Sequence, residues 1–537
     1  MENNCEGSRN WWKNGVLYHI YLRSFADSNG DGFGDLRGAI EHIDYISELG
    51  VNGVWLSPNT PSPNNDWGYD VSDYLGIHPD YGTFSDLEEF IDKCNGLGIE
   101  VILDLVPNHT SSEHAWFIKA LSDPTSRYRQ YYVFSKGKPD GSPPNNWLDA
   151  TGGSAWTLDS ASGEYYLHNF LPSQPDLNWW NEEVQKEFEY ILRFWFDRKV
   201  AGFRIDVAHG IFKDELLRDD PPAPETSKEF SHFGLVETYS KNREEVHPLY
   251  RSWRKIADSY DPSRLLVGET WVSDISKLAA FYGDNDELNL AFNFMFVFTD
   301  FNAQALSEVV GSTLDALPDG ASAVWTGSNH DISRFPTRWA DGDDDKIRMA
   351  LTVLLTLPGT VFLYYGDELG MCDVDVPVEL QRDPMTKLIP GARFQRDRAR
   401  TPMPWREGPG RGFCDPKTTP WLPFGPEDGR DVESQRRDPN STFNLTKLLI
   451  ELRSGVSESL STYRLVEVTD SIWRYRCGPF EVLANFGEGI YEFEAEGSET
   501  VVSSKHLKDK GIGGDGCIEV GPHETHSDKP YLTPSDL

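Results

Sequence analysis

Short, uninterrupted apolar runs punctuate the chain, each followed by a stretch with helical spacing. They occupy positions 16–21, 53–56, 100–105, 202–207, 264–268, 288–292, 323–326 and 360–365. Their apolar residues are consecutive rather than alternating, and many are β-branched. That pattern suits strands covered on both faces, the environment of a parallel sheet. Eight strand–helix alternations predict an α/β fold, a (β/α)8 TIM barrel, with an open doubly wound sheet as the other arrangement of the same pattern.

The spacing is uneven. The interval between the third and fourth runs is polar and aromatic, with turn clusters such as KGKPDGSPPNN, and predicts an inserted domain on the barrel's catalytic face. A smaller insertion follows the fourth strand around RDDPPAPETS, and another follows the eighth. Beyond about residue 455 the runs turn short and alternating, as in SIWRYRCG and FEVLANF, which predicts an antiparallel β-sandwich. The expected domains are a barrel over 1–108 and 175–455, interrupted at about 371–420, an inserted domain over 109–174, and a C-terminal domain over 456–537.

Aromatics at 13% argue against disorder. The formal net charge of −36 opposes nucleic acid and anionic membranes as partners and points to a neutral or cationic substrate. Six dispersed cysteines without a CxxC pair suit a reduced interior, and the start MENNCEGSRNWWKNG has no basic-then-apolar pattern. The expectation is a cytoplasmic protein without a membrane span.

Candidate chemistry comes from carboxylates at predicted strand ends, where barrel enzymes place their catalytic residues. Asp104 lies in DLVPNH, Asp206 in GFRIDVAHG, Glu269 in LLVGETW and Asp331 in TGSNHD, with Asp66 in the loop after strand two. Like charges on one rim are costly as structure alone. Paired carboxylates are what glycoside hydrolysis requires, one to attack the anomeric carbon and one to protonate the leaving oxygen. Arg204 shares a strand face with Asp206 and could keep it ionised, and His109 and His330 stand beside the acids.

DLVPNH, GFRIDVAHG, GETW, SNHD and QPDLN, in that order, resemble the conserved stretches of the α-amylase superfamily, glycoside hydrolase family 13, above all its α-glucosidase and oligo-1,6-glucosidase members. The resemblance runs from YLRSFADSNGDGFGDLRG through ARTPMPW. It implies Asp206 as nucleophile, Glu269 as acid/base and Asp331 as the acid gripping the 2- and 3-hydroxyls, with retention of configuration. It also implies that His109, Arg204 and His330 line subsite −1, that Tyr69 is a stacking platform, and that Phe170 and Gln174 border the route to subsite +1. Asp66 and Arg400 match a pair that closes the pocket behind the terminal sugar in glucosidase members.

The loop DSNGDGFGD offers Asp27, Asn29, Asp31, Asp35 and the Phe33 carbonyl to a structural Ca²⁺ or Mg²⁺. No pattern for a catalytic metal is present. The leading expectation is a retaining exo-acting α-glucosidase on short oligosaccharides. Oligo-1,6-glucosidase, glucosyl transferase or trehalose synthase action stays open: Val207 suits 1,6-acting relatives, whereas Ala208–Gly210 departs from their pattern. A silent sugar-binding or transporter-heavy-chain protein is the non-enzyme alternative, opposed by Asp206, Glu269 and Asp331.

Overall fold

A computed structural model describes residues 10–224, 233–388, 395–487, 502–503 and 518–522. Eight parallel strands form its centre: β1 (Val16–Ile20), β2 (Gly53–Leu56), β3 (Glu100–Leu105), β4 (Gly202–Ile205), β5 (Leu265–Gly268), β6 (Leu290–Ala291), β7 (Val324–Thr326) and β8 (Thr360–Tyr364). The ladder runs β7-β8-β1-β2-β3-β4-β5-β6. Leu17, Trp55, Ile102, Val267, Leu290, Val324 and Phe362 meet in one interior cluster. It joins β6 to β7, the two ends of the ladder, so side chains fill the barrel as in other small barrels. Strands β1, β2, β4, β5 and β8 are buried along their whole length, which is why they read as continuous apolar runs.

Helices separate the strands, and many start on a side-chain cap. In Phe84–Gly96, Thr83 Oγ1 accepts the Asp86 N–H and the Asp86 carboxylate accepts the Thr83 N–H, a reciprocal capping box. Leu87, Phe90, Ile91 and Cys94 form its buried stripe.

Between β3 and β4 the chain forms a three-stranded antiparallel sheet of Phe134–Lys136, Glu164–Leu167 and Trp156–Asp159 in that spatial order. It has its own core of Trp147, Ala155, Trp156 and Leu167. A buried ammonium clasps this unit to the barrel: Lys213, after β4, reaches Asp176 Oδ2 at 2.8 Å and Asn108 Oδ1 at 2.5 Å. After β8 a long excursion of 3-10 turns carries Arg396 and Arg400 back over the barrel rim.

The C-terminal unit presents one antiparallel sheet in the order Tyr463–Val468, Ile472–Cys477, Phe480–Asn485, Ile518–Pro522, Val502–Ser503. It packs on the helices Ala303–Ala316 and Asp344–Thr356, and the hydroxyls of Tyr475 and Thr356 pair at 2.7 Å. The remainder of the expected sandwich falls on residues outside the described set. Among the described residues no helix is long and apolar enough to cross a membrane. Cys94, Cys372, Cys414 and Cys477 are free thiols.

Candidate active site

The parallel ladder itself delivers the first two acids. The Asp206 N–H donates to the Leu105 carbonyl at 2.8 Å and the Glu269 N–H donates to the Ile205 carbonyl at 2.9 Å, one step beyond the ends of β4 and β5. Asp331 is fixed by a side-chain turn, in which Asn329 Oδ1 accepts the N–H groups of Asp331 and Ile332. Between Asp206 and Glu269 stands Val207 at φ +47°, a left-handed conformation that strains a β-branched residue. Its N–H donates to Glu269 Oε2 at 2.9 Å, so the strained peptide is held by the acid beside it.

Arg204 is the hub. Its Nη1 donates to Asp104 Oδ1 at 2.9 Å and to Asp206 Oδ1 at 2.7 Å, and its Nη2 lies 2.8 Å from Glu269 Oε1. Asp206 and Glu269 are thus no farther apart than one guanidinium and two hydrogen bonds. All four side chains are buried. Three carboxylates share one cation, so the cluster resists full ionisation. Burial pushes Asp206 well above the ordinary carboxylate range; Arg204 opposes this, and Glu269, Asp104 and Asp331 add to it. Asp104 rises to about 6, chiefly through burial.

Asp331 is held in the opposite direction. Burial alone would raise it, but His330 Nε2 at 3.0 Å, Arg400 Nη2 at 2.8 Å and Arg396 Nη1 at 3.3 Å outweigh burial and hold it well below the usual range. His330 lies between the rings of Tyr69 and Tyr21, stacked at 5.1 and 5.7 Å, and burial lowers its basicity. The Tyr69 hydroxyl donates to Asp104 Oδ2 at 2.9 Å, which ties this stack to the Arg204 hub.

His109 meets Gln174 Nε2 at 3.1 Å and the Tyr69 carbonyl at 3.0 Å, and Phe170 packs against its ring at 5.1 Å. Gln174 Nε2 donates to Asp66 Oδ2 at 3.2 Å. The expected residues Asp66, Tyr69, His109, Phe170, Gln174, Arg204, Asp206, Glu269, His330, Asp331 and Arg400 are therefore linked by contacts in one site.

One expected contact is different. Asp66 pairs not with Arg400 but with Arg396, whose Nη2 lies 2.7 Å from Asp66 Oδ1. Arg400 is committed elsewhere: its Nε donates to the His330 carbonyl at 2.7 Å and its Nη2 to Asp331. Arg396 is anchored from behind by Asp383, with Nε to Oδ2 at 3.0 Å and Nη2 to Oδ1 at 2.7 Å. Both arginines leave the same 3-10 turn, Arg396–Ala399 with Arg400 as its cap. The spacing RDRAR was the signal available for Arg396. Asp383, in the excursion, carried none. Trp271, two residues after Glu269, also went unassigned; its Nε1–H donates to Glu269 Oε1 at 3.0 Å.

The loop over 27–35 closes on itself. Asp27 Oδ1 accepts the Asn29 and Gly30 N–H groups, Asp27 Oδ2 that of Gly32, Asn29 Oδ1 that of Asp31, and Asp31 Oδ1 that of Phe33. Asp35 caps the helix Leu36–Glu41 through the Gly38 N–H. The donors are all oxygen, the chemistry Ca²⁺ and Mg²⁺ take. Among the described residues no three His, Cys, Asp or Glu side chains are grouped to hold a metal ion.

Residues 19–461 match the model of the alpha amylase catalytic domain. A probable alpha-glucosidase of Rhizobium meliloti (strain 1021) is 38% identical over 84% of this chain and 84% of its own length. An oligo-1,6-glucosidase of Parageobacillus thermoglucosidasius is 38% identical over 87% of this chain and 88% of its own. Among solved structures, an alpha-glucosyl transfer enzyme superposes with a TM-score of 0.88 at 33% identity, covering 95% of this chain and 99% of that one. A trehalulose synthase superposes at 0.86 and 28% identity, covering 96% and 100%. A matching catalytic domain across most of the chain, and relatives of this identity across most of their own lengths, make this protein a member of the α-amylase family of glycoside hydrolases.

Proposed function

We propose that this glycoside hydrolase is a retaining, exo-acting α-glucosidase that releases α-glucose from the non-reducing ends of short, maltose-like or sucrose-like α-glucosides. The observation that carries the reading is the fastening of Asp206 and Glu269, from neighbouring strands, to one buried guanidinium. In this reading Asp206 attacks the anomeric carbon as Glu269 protonates the leaving oxygen, and water then displaces Asp206 with Glu269 as base. Two inversions leave the α configuration. Asp331, kept ionised by Arg396 and Arg400, holds sugar hydroxyls.

Exo action is supported by the far end of the site. Arg396 spans Asp66, Asp331 and Asp383, a rigid charged wall where a longer chain would have to continue. The resemblance assigns Phe170 and Gln174 to the route toward subsite +1, whereas Gln174 donates to Asp66 of this wall. Transfer of glucose to another sugar is the second reading, favoured by the likeness to an alpha-glucosyl transfer enzyme and a trehalulose synthase. Hydrolysis of α-1,6 linkages is favoured by the likeness to oligo-1,6-glucosidase. The free thiols of Cys94, Cys372, Cys414 and Cys477 support a reducing, cytoplasmic setting; the all-oxygen side chains of the loop at 27–35 suit Ca²⁺ or Mg²⁺ by their chemistry, but among the described residues they are not grouped around a cation.

The test is a panel of maltose, isomaltose, sucrose and maltotriose with the first released anomer followed by NMR. α-Glucose as first product, with sugar shortened one unit at a time, is expected. β-Glucose as first product would exclude double displacement, and maltose formed before maltotriose from maltotetraose, added to the panel, would exclude the closed pocket.

A further inference from the structure

Glu269 is held by two N–H donors and one guanidinium ion pair, and their distribution between its two oxygens is unequal. Oε1 meets Arg204 Nη2 at 2.8 Å and the Trp271 indole N–H at 3.0 Å. Oε2 accepts only the Val207 N–H, at 2.9 Å. Oε1 thus faces two nitrogens within 3.0 Å, one of them cationic, whereas among the described residues Oε2 faces one, which leaves Oε2 the less engaged oxygen. The Trp271 ring cannot easily turn away. It lies flat on Phe294 at 3.9 Å with an interplanar angle of 12°, and Phe298 flanks it at 5.6 Å.

We propose that Trp271 is a positioning residue for proton transfer: with Arg204 it occupies Oε1, so that Oε2 is the oxygen that carries and delivers the proton. The inference rests on the glucosidase reading above. As the bond from the anomeric carbon to the leaving oxygen breaks, its electron pair departs with that oxygen. The oxygen takes the proton from Oε2 while the Asp206 carboxylate forms the new bond to carbon. Glu269 is left ionised, and the charge appears opposite donors already in place. A hydrogen bond to a charged acceptor is stronger than one to a neutral acceptor, so the indole contributes more as the proton leaves.

Trp271→Phe tests this, because it keeps a flat ring on Phe294 and removes only the N–H. kcat/KM is measured for wild type and variant on maltose, whose leaving group needs a proton, and on α-glucosyl fluoride, whose leaving group does not. This ratio of constants reports the bond-breaking step. A loss of about tenfold or more is expected on maltose, from the usual worth of a hydrogen bond to a charged group, with little loss on the fluoride. A misfolded fraction lowers both substrates alike and leaves their ratio readable. Equal losses on both substrates, or no loss on either, would overturn the proposal. Failure of the wild-type enzyme to turn over either substrate would instead remove the glucosidase reading, and this inference with it.

Discussion

Removing the Arg396 guanidinium, as in Arg396→Met, perturbs three carboxylates together. Asp66, Asp331 and Asp383 lie within 2.7, 3.3 and 2.7 Å of it. Asp383 has no exposed surface and the Arg396 side chain is 14% exposed, so water can do little to replace the lost cation. Breaking a buried pair by removing one partner costs about 3–5 kcal/mol. The transition state should also suffer, since Asp331 keeps only Arg400 of its two arginines. A hydrogen bond to a charged group is worth about 1.5–3 kcal/mol, equivalent to roughly a 10- to 150-fold fall in kcat/KM on maltose.

The pH dependence of the same variant has a definite sign. Asp331 and Asp383 titrate below their ordinary values in the folded protein; for each, burial acts upward and is outweighed, for Asp331 by His330 and the two arginines and for Asp383 by Arg396. Their contribution to stability is therefore complete above the unfolded carboxylate value, about 3.9, and is lost as pH falls through the folded values. The gap in thermal midpoint between wild type and Arg396→Met should be widest near neutrality and narrow below about pH 4. The assay combines thermal melts from pH 3 to 8 with initial rates on maltose and product chromatography on maltotetraose. A variant with kcat/KM within about threefold of wild type, an unchanged melt and only glucose and maltotriose as early products would refute the wall and the hold on Asp331 together.

Two further outcomes are expected. Lys213→Met leaves Asp176 buried without its cation and should lower stability by about 3–5 kcal/mol, read as a fall in thermal midpoint; adding Asp176→Asn should recover part of it, and strict additivity of the two changes would contradict the clasp. Chelation by EDTA should lower the thermal midpoint, and Ca²⁺ should restore it, if the loop at 27–35 binds a cation; an unchanged midpoint across that cycle would dismiss the metal.

The barrel was legible because its strands are buried on both faces, which writes one apolar run per strand. All eight runs contain an observed strand, and the largest difference is at 288–292, where only Leu290–Ala291 pairs. There the ladder ends, so the flanking residues have no neighbouring strand on one side. The acids were legible because strand ends are where their sequences place them. Side-chain direction in the excursion after β8 was not. Arg396 and Arg400 leave one 3-10 turn, and which of them reaches Asp66 depends on Asp383, a residue brought there by tertiary folding alone. The Trp271 contact was hidden for a similar reason. Its aromatic character is visible in the sequence, but the stack on Phe294 that aims the indole at Glu269 joins two separate strand–loop units.

Because Arg204 answers to Asp104, Asp206 and Glu269 at once, the three acids cannot change protonation independently. Each inflection in a rate profile then belongs to the set, not to a single member. Neutralising Asp104, which need never touch substrate, should consequently displace the same inflections as altering the residues that do the bond making.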